Sequence, residues 1–250
     1  MHGLKDKRVV ITGGASGIGA ATVKRFLEEE SRVLVIDRDG AGCEELVGMH
    51  SELAGTIVAD VSDPDAVALA FDNVDDSLSG IDVLLNNAGI SIRHSFLDIS
   101  PNEWQSVQNV NLNGVFYVAQ QAARRMINQG GGVILNMGST NGLIGSPYYS
   151  DYNASKAGVI ELTRTMALEL APSVRVNAVC PGYILTPMQK AEYTPEMMQA
   201  VNDKIPLARH GLPEEVAALF AFLACDEAAY LTGQTFVIDG GEVAGGLASR

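Results

Sequence analysis

The sequence predicts one α/β domain built on a doubly wound parallel sheet. Short runs rich in β-branched residues alternate with longer amphipathic segments, and no Pro/Ser-rich linker or internal repeat divides them. With 250 residues, of which 47% are hydrophobic and 19% charged, the chain suits a single large globular unit. Most segments between the runs are long enough for crossover helices, which require parallel strands and place helices on both sheet faces.

Seven buried strands and three prominent helices are predicted. The strands cover residues 8–11, 32–36, 56–59, 81–85, 133–136, 174–179 and 235–238, and the helices cover residues 20–29, 101–128 and 152–170. We assign the nucleotide half of the domain to about residues 1–130 and the substrate and catalytic half to about residues 131–250. Within the second half, the proline-containing segment 184–210 is predicted to form a lid above the carboxyl edge of the sheet.

Composition excludes several classes of function. Thirty acidic against 17 basic residues leave a net charge of −13, which opposes binding to nucleic acid or to an anionic membrane. The three cysteines form no CxxC pair, and the four histidines show no metal-ligand spacing, so neither a disulfide framework nor a catalytic metal is predicted. No apolar run approaches the roughly 18 residues of a membrane span. We expect a cytoplasmic protein with a small-molecule partner.

A glycine-rich turn follows the first strand and leads into a helix. Its residues include Gly13, Ser16, Gly17, Ile18 and Gly19. Glycine lets a pyrophosphate approach the backbone N–H groups closely, and the helix dipole favours its negative charge. The spacing is GxxxGxG rather than the commoner GxGxxG. The turn therefore predicts a dinucleotide site, with an ordinary tight strand–helix connection as the alternative.

Acidic residues follow the second and third strands. Asp37 stands where an acid accepts hydrogen bonds from both adenosine ribose hydroxyls, and it would repel a 2′-phosphate, so NAD is favoured over NADP. Arg38 argues the other way if it reaches over such a phosphate, but a solvated loop arginine is the favoured interpretation. After the third strand, Asp60 and Val61 are candidates to meet the adenine, while Asp60 is equally suited to cap the next helix.

Further motifs resemble those of a known family. Asn86-Asn87-Ala88-Gly89 ends the fourth strand, Asn111 lies in Asn-Leu-Asn-Gly, and Ser139 precedes a Tyr152-x-x-x-Lys156 pair by thirteen residues. Pro181-Gly182 follows the sixth strand, and Val237 to Gly241 closes the last one. A YxxxK pair alone occurs easily by chance. Taken in order with the glycine-rich turn, however, these motifs resemble the short-chain dehydrogenase/reductase family over essentially the whole chain.

The resemblance implies a fold, a reaction and a set of site residues. It implies a Rossmann fold with strand order 3-2-1-4-5-6-7, Tyr152 as the acid/base, Lys156 as its electrostatic partner, Ser139 orienting the substrate oxygen and Asn111 completing a proton relay through water. The cofactor-binding residues implied beyond the glycine-rich turn, Asp37, Asp60 and Val61 are Asn87, Ala88, Gly89, Tyr152, Lys156, Pro181, Gly182, Ile184 and Thr186. By similarity with other members, a homotetramer is expected, with the helices over 101–128 and 152–170 at its interfaces.

Elementary chemistry supports the roles of Tyr152 and Lys156. Four residues apart on a helix, their side chains lie one turn apart on one face. A phenol titrates near 10, so its use as a base near neutrality requires a shift worth roughly 4 kcal/mol. A cation about 4 Å away at an effective dielectric near 20 supplies about that much. We therefore expect Lys156, helped by the positive nicotinamide ring, to lower the pKa of Tyr152.

The predicted reaction is the NAD-dependent interconversion of a secondary alcohol and a ketone. Because the lid carries Met188, Met197, Met198 and Tyr193 with few fixed charges, it predicts a small or medium, largely apolar substrate such as a cyclic alcohol, polyol or hydroxysteroid. The sequence leaves open which of six residues touch it: Arg93, His94, Asn141, Tyr148, Tyr149 and Tyr183. Two alternatives remain, an NADPH-linked reductase of 3-oxoacyl thioesters and a nucleotide-binding sensor without turnover.

Overall fold

The sheet has the predicted order. The protein's structure, a computed structural model, describes residues 1–245, so the last five residues of the predicted domain lie outside the described residues. The strands are β1 (Arg8–Thr12), β2 (Arg32–Asp37), β3 (Gly55–Val58), β4 (Val83–Asn86), β5 (Gly132–Met137), β6 (Val174–Pro181) and β7 (Thr235–Ile238). They form one parallel sheet in the order β3-β2-β1-β4-β5-β6-β7. The strand order reverses between β1 and β4, where a crevice opens at the carboxyl edge.

Helices cover both faces of the sheet, as predicted. They are α1 (Gly17–Glu28), α2 (Gly40–Met49), α3 (Pro64–Leu78), α4 (Pro101–Gln108), α5 (Gly114–Gln129), α6 (Ser150–Leu170), α7 (Pro187–Glu192), α8 (Pro195–Asn202) and α9 (Pro213–Ala224). Side chains of β1 alternate between two cores: Val9 and Ile11 pack with Phe26 of α1 and Phe220 of α9, whereas Val10 packs with α3 and α5. A strand buried on both faces must be apolar throughout, which explains the continuous hydrophobic runs.

The helix predicted over 101–128 is interrupted, which corrects the sequence analysis. Between α4 and α5, residues Asn109–Asn113 form a π-helical turn that contains Asn111. The Asn111 amide pairs with the backbone of Ile90, accepting from its N–H at 2.8 Å and donating to its carbonyl at 2.9 Å. The wider turn suits this pairing with the segment that follows β4, and such turns are frequent at functional sites. Hydrophobic periodicity does not reveal them.

A chain of buried polar side chains ties α6 to the middle of the sheet. Nδ2 of Asn86 donates to Oδ1 of Asn136 at 3.0 Å, and Nδ2 of Asn136 donates to Oγ1 of Thr163 at 2.9 Å. All three side chains are buried, and Thr163 also donates to the Val159 carbonyl. Because a buried polar group left without its partner costs about 1–3 kcal/mol, this chain sets the position of α6 against β4 and β5.

The segment predicted as a lid lies at the carboxyl edge and contains two short helices. Thr186 and Thr194 cap α7 and α8 through their side chains, and each cap is followed by a proline at the first helical position. Two prolines and two caps within ten residues, 186–195, explain why this segment shows no long helical periodicity. Within residues 1–245, no helix has the length and apolar character needed to cross a membrane.

Candidate active site

A cleft of about 400 Å³ opens at the crevice between β1 and β4. Most of the predicted cofactor residues line it: Gly13, Ser16, Gly17, Ile18, Asp37, Asn87, Ala88, Gly89, Tyr152, Lys156, Pro181, Gly182, Ile184 and Thr186. Ser139 also lines the cleft, together with several residues that the sequence did not single out, among them Asp39, Ile90 and Met137. The cleft thus brings together residues from both halves of the chain.

The glycine-rich turn leaves the amino terminus of α1 open to the cleft. Gly13 and Gly17 have φ values of +65° and +54°, which favour glycine. Nδ2 of Asn87 donates to the Thr12 and Gly13 carbonyls at 3.1 and 2.8 Å and holds the turn in place. Ser16, at the N-cap, makes no side-chain cap, so the first N–H groups of α1 stay available to an anion. This arrangement fits the pyrophosphate of a dinucleotide.

Gly19 has a different role from the one expected. It is absent from the cleft lining, and a Cβ at this position would collide with the Gly13 carbonyl. Gly19 therefore permits the turn to close against α1 rather than facing a ligand.

The far end of the cleft is acidic. The Asp37 carboxylate accepts hydrogen bonds from the backbone N–H groups of Ala15, at 2.9 Å, and Asp39, at 3.0 Å. These bonds fix its charge at the end of β2, where the sequence analysis placed the adenosine ribose. Arg38 also lines the cleft, but its side chain is exposed. Both residues that bear on the choice between NAD and NADP therefore lie at the same edge.

Asp60 and Val61 are not among the residues that line this cleft, so their contact with the adenine stays a prediction. The Asp60 carboxylate accepts from the backbone N–H and hydroxyl of Ser62 at 2.9 and 2.7 Å. The capping alternative for Asp60 is wrong, because the Asp63 side chain caps α3. Val61 is buried and packs against α3 and α5. The sequence correctly located the strand end but not the direction of these side chains.

The reacting groups converge where β5 and α6 meet. Lys156 is only 2% exposed, and its Nζ donates to the Met137 carbonyl at 2.9 Å and lies 5.5 Å from the centroid of the Tyr152 ring. Ser139 follows β5 directly, and its hydroxyl interacts with the Tyr152 phenol. A hydroxyl and a phenol at one point are able to hold a substrate oxygen between them.

Burial shifts both titrating groups toward neutrality. It raises the pKa of Tyr152 to about 12, more than the hydrogen bond with Ser139 lowers it, and it lowers the pKa of Lys156 to about 8. Lys156 by itself therefore does not lower the phenol pKa, which corrects its part of the expectation, and the part given to the nicotinamide ring stays a prediction. The reason is that a dry site opposes both charges, and Nζ is directed at the Met137 carbonyl. The protonated phenol is suited to donate to a ketone oxygen.

Asn111 lies behind the cleft rather than in its lining. It is fully buried, and besides pairing with Ile90 it donates to the Ser155 hydroxyl at 3.2 Å. A Cβ on Gly89 would stand 3.3 Å from Asn111 Oδ1 and 3.6 Å from Lys156 Nζ, so Asn111 and Lys156 share one neighbour. The structure shows Asn111 holding the chain after β4, and its part in a water relay stays a prediction.

A second cavity of about 90 Å³ adjoins the phenol of Tyr152. Its lining residues are Ser91, Ser139, Thr140, Asn141, Tyr149, Tyr152, Gly182, Tyr183, Thr186, Met188, Gln189, Glu192 and Tyr193. Of the six residues left open by the sequence, Asn141, Tyr149 and Tyr183 are therefore at the cavity. Ser139, Tyr152 and the lid residues Thr186, Met188 and Gln189 line both spaces.

The other three residues left open have structural roles. The guanidinium of Arg93 lies 4.3 Å from the centroid of the Tyr148 ring. Nε2 of His94 lies 3.0 Å from the buried Asp151 carboxylate, which also accepts from the Tyr152 N–H at 2.8 Å. These contacts connect the chain after β4 to the first turn of α6 and so help to place Tyr152.

The lid is more polar inside than its composition suggested. Among its methionines only Met188 lines a cavity, whereas Met197 and Met198 line neither. Helix α7 instead directs Gln189 and Glu192 inward, and Tyr149 donates to the Glu192 carboxylate at 2.7 Å. The expectation of a lid with few fixed charges at the pocket is wrong, because composition does not show which face of a short helix is buried. The i, i+3 spacing of Gln189 and Glu192 was the available signal.

No cluster of three or more potential metal-ligating side chains occurs in residues 1–245.

Comparison with known proteins decides the family. A family model described as enoyl-(acyl carrier protein) reductase matches residues 13–242. The chain is 38% identical to a short-chain type dehydrogenase/reductase from Mycobacterium marinum, with a TM-score of 0.92 over 97% of each chain. It belongs to the short-chain dehydrogenase/reductase family. The family membership makes it an oxidoreductase that uses a nicotinamide cofactor.

Curated members of the short-chain dehydrogenase/reductase family differ in substrate. The chain is 44% identical to the 3-oxoacyl-[acyl-carrier-protein] reductase FabG of Thermotoga maritima, over 96% of this chain and 99% of that protein. It is 42% identical to the 3beta-hydroxysteroid dehydrogenase 1 of Eggerthella lenta, over 95% and 94%. Similar identity to a thioester reductase and to a steroid dehydrogenase leaves the substrate undecided.

We predict that Tyr152→Phe abolishes nearly all turnover and leaves NADH affinity almost unchanged. The phenol serves the substrate oxygen, whereas the dinucleotide is held mainly by the rest of the cleft. Steady-state rates and NADH fluorescence titration measure the two effects. Tyr230→Phe is the control, because Tyr230 is fully exposed. Activity above about one tenth of wild type would contradict the role given to Tyr152.

We predict that Lys156→Met stabilises the fold while impairing activity. Lowering the pKa of Lys156 from 10.5 to about 8 corresponds to a destabilisation of the folded state by about 3 kcal/mol. The variant removes this cost but also loses the hydrogen bond to the Met137 carbonyl. Its free energy of unfolding is therefore expected to rise by about 1–2 kcal/mol. Since the folded-state pKa is depressed, the gain is full below pH 8 and disappears as pH rises toward 10.5.

Urea unfolding of both proteins across that pH range measures the effect. The control is Lys24→Met, since Lys24 is exposed on α1. A stability difference that does not change with pH would show that burial of the lysine charge is not its cause.

Proposed function

We propose that the chain is an NAD-dependent dehydrogenase that interconverts a secondary alcohol and a ketone. The observation that carries this proposal is the meeting of the two cavities at Ser139 and Tyr152. One cavity has the features of a dinucleotide cleft, and the other is small and bordered by residues of the lid. A substrate carbon at the junction lies beside both the phenol and the cofactor cleft.

The chain's own residues account for proton transfer and for binding. The nicotinamide cofactor supplies the hydride exchange. Ser139 and Tyr152 hold the substrate oxygen, and Tyr152 donates a proton to it during reduction or accepts one during oxidation. Lys156 places a positive charge near the phenol. The lid residues that line both spaces exclude water from the reacting atoms.

The preference for NAD rests on Asp37. Its charge is held at the cleft edge by two backbone N–H groups, and a 2′-phosphate placed there would meet a fixed like charge. The exposed Arg38 side chain makes no hydrogen bond in the described residues. It would have to move over the ribose to offset the repulsion between Asp37 and a 2′-phosphate.

Two other functions have specific support. Likeness to the FabG protein of Thermotoga maritima favours reduction of 3-oxoacyl thioesters, which predicts efficient use of NADPH and of thioester substrates. A sensor that binds the nucleotide without turnover is consistent with the cleft alone, but it leaves the convergence of Ser139, Tyr152 and Lys156 unexplained. A screen of sugars, polyols, cyclic diols, hydroxysteroids and acyl thioesters with both cofactors distinguishes all three. Cytoplasmic location stays a prediction.

We predict that kcat/KM with NAD exceeds that with NADP by at least about tenfold. Asp37→Asn removes the charge yet keeps an acceptor for Ala15, so it is expected to reduce this ratio chiefly by improving the use of NADP. Arg38→Ala serves as the matched variant. If wild type prefers NADP and Arg38→Ala abolishes that preference, the arginine rather than the aspartate controls the choice.

We also propose a homotetramer, because α5 and α6 expose apolar side chains away from the sheet. Phe116 is 44% exposed and Leu168 is 82% exposed. Light scattering at micromolar concentration is expected to give four times the 26.4 kDa mass of one chain. The double change of Phe116 and Leu168 to Asp should reduce that mass. Leu69→Asp, on an exposed site of α3, should not. A wild-type monomer would refute the assembly.

A further inference from the structure

Two residues that line the small cavity each have a polar side-chain atom without a partner. Oε1 of Glu192 and Nε2 of Gln189 are buried without a hydrogen bond, and both residues line the cavity. They lie three residues apart on α7 and are not bonded to each other. Buried polar groups are nearly always satisfied in folded proteins, so two exceptions on residues that line one cavity point to a group that binds there.

The Glu192 carboxylate is held in one orientation. The hydroxyl of Tyr149 donates to its other oxygen, Oε2, at 2.7 Å, and lies 3.3 Å from the hydroxyl of Tyr193. Tyr149 is 7% exposed, and its ring packs edge-on against Tyr152 with centroids 6.3 Å apart. Burial and the carboxylate raise the pKa of Tyr149, which keeps it a donor. The free Oε1 is thus part of an assembly that touches the acid/base tyrosine.

We propose that Glu192 binds a second hydroxyl of the substrate, and hence that the site acts on diols or polyols. This inference rests on the proposed function and adds the substrate class to it. The second hydroxyl donates to Oε1 of Glu192 and accepts from Nε2 of Gln189, so one group satisfies both atoms. The cavity is small, about 90 Å³, and Tyr152 is one of its lining residues. The second hydroxyl is therefore expected to lie a few bonds from the reacting carbon.

The same geometry disfavours other substrates at this position. A thioester oxygen, a carboxylate or a phosphate offers only acceptors to the Glu192 carboxylate. An ammonium group satisfies Glu192 but has no lone pair for the Gln189 amide. A monohydroxy alcohol leaves both atoms unpaired, and sites built to bond a hydroxyl strongly reject analogues that lack it.

Matched pairs of alcohols test the proposal. The probes are trans-cyclohexane-1,2-diol with cyclohexanol, and butane-2,3-diol with butan-2-ol, each oxidised with a saturating nicotinamide cofactor. Wild type is expected to prefer each diol by at least about tenfold in kcat/KM. Glu192→Ala should lower kcat/KM for the diols by about tenfold to hundredfold, mainly through KM, and change it less than about threefold for the monohydroxy alcohols.

Two further variants separate binding from folding. Glu192→Gln keeps an acceptor for Tyr149 and should show a smaller loss in the same direction, since a charge-assisted bond is replaced by a neutral one. Glu196→Ala removes an exposed carboxylate on α8 outside both cavities and should change neither ratio. Unchanged NADH affinity reports an intact fold in each variant.

Each other outcome overturns the inference. Equal kcat/KM for diol and monohydroxy alcohol in wild type, or an equal loss for both in Glu192→Ala, would show that Glu192 does not bind a second hydroxyl. The proposed dehydrogenase function would be unaffected by that result. Better turnover of trans-2-aminocyclohexanol than of the diol assigns Glu192 to an ammonium instead. Absence of turnover with every alcohol and both cofactors overturns the proposed function, and this inference with it.

Discussion

The placement of α6 is the constraint on which the rest of the site depends. This helix carries both Tyr152 and Lys156, and it is held by polar contacts inside the sheet as well as by apolar packing. Thr163 joins it to Asn136 of β5, and Lys156 joins it to the carbonyl of Met137. Apolar contacts tolerate small sliding movements of a helix. Hydrogen bonds in a dry interior do not, because each donor must stay within reach of its own acceptor. A shift of α6 would separate the phenol from Ser139.

Burial that holds the helix also determines the electrostatics of the site. Lys156 and Tyr152 share a region with little water, so the charged form of each is disfavoured. The site thereby keeps its acid protonated and places a cation where it destabilises the fold. Such a cost is common where function requires a particular charge state. It also means that added positive charge in the cleft has a large effect on the phenol, because screening is weak there.

The small cavity beside Tyr152 is lined largely by residues outside the sheet. Helix α7 and the start of α6 enclose the small cavity, and they bring Glu192, Tyr149 and Tyr193 into contact. None of these residues belongs to the sequence motifs by which the chain resembles the short-chain dehydrogenase/reductase family. Segments at a sheet edge change more readily than the sheet itself, and relatives of similar identity bear the names of a thioester reductase and a steroid dehydrogenase.

The sequence by itself determined the strands and their parallel pairing, and its resemblance to a known family implied their order and most of the cleft. Glycines at strand ends, Asp37 after β2 and the Tyr152–Lys156 spacing are local signals, because each reflects a backbone turn or one helix face. Only the tertiary structure decided the rest. Asp60 turns toward Ser62, Asn111 lies in a π-helical turn, and Glu192 faces the cavity. These outcomes depend on what packs against each side chain, and the pKa of Tyr152 likewise depends on how much water its neighbours exclude.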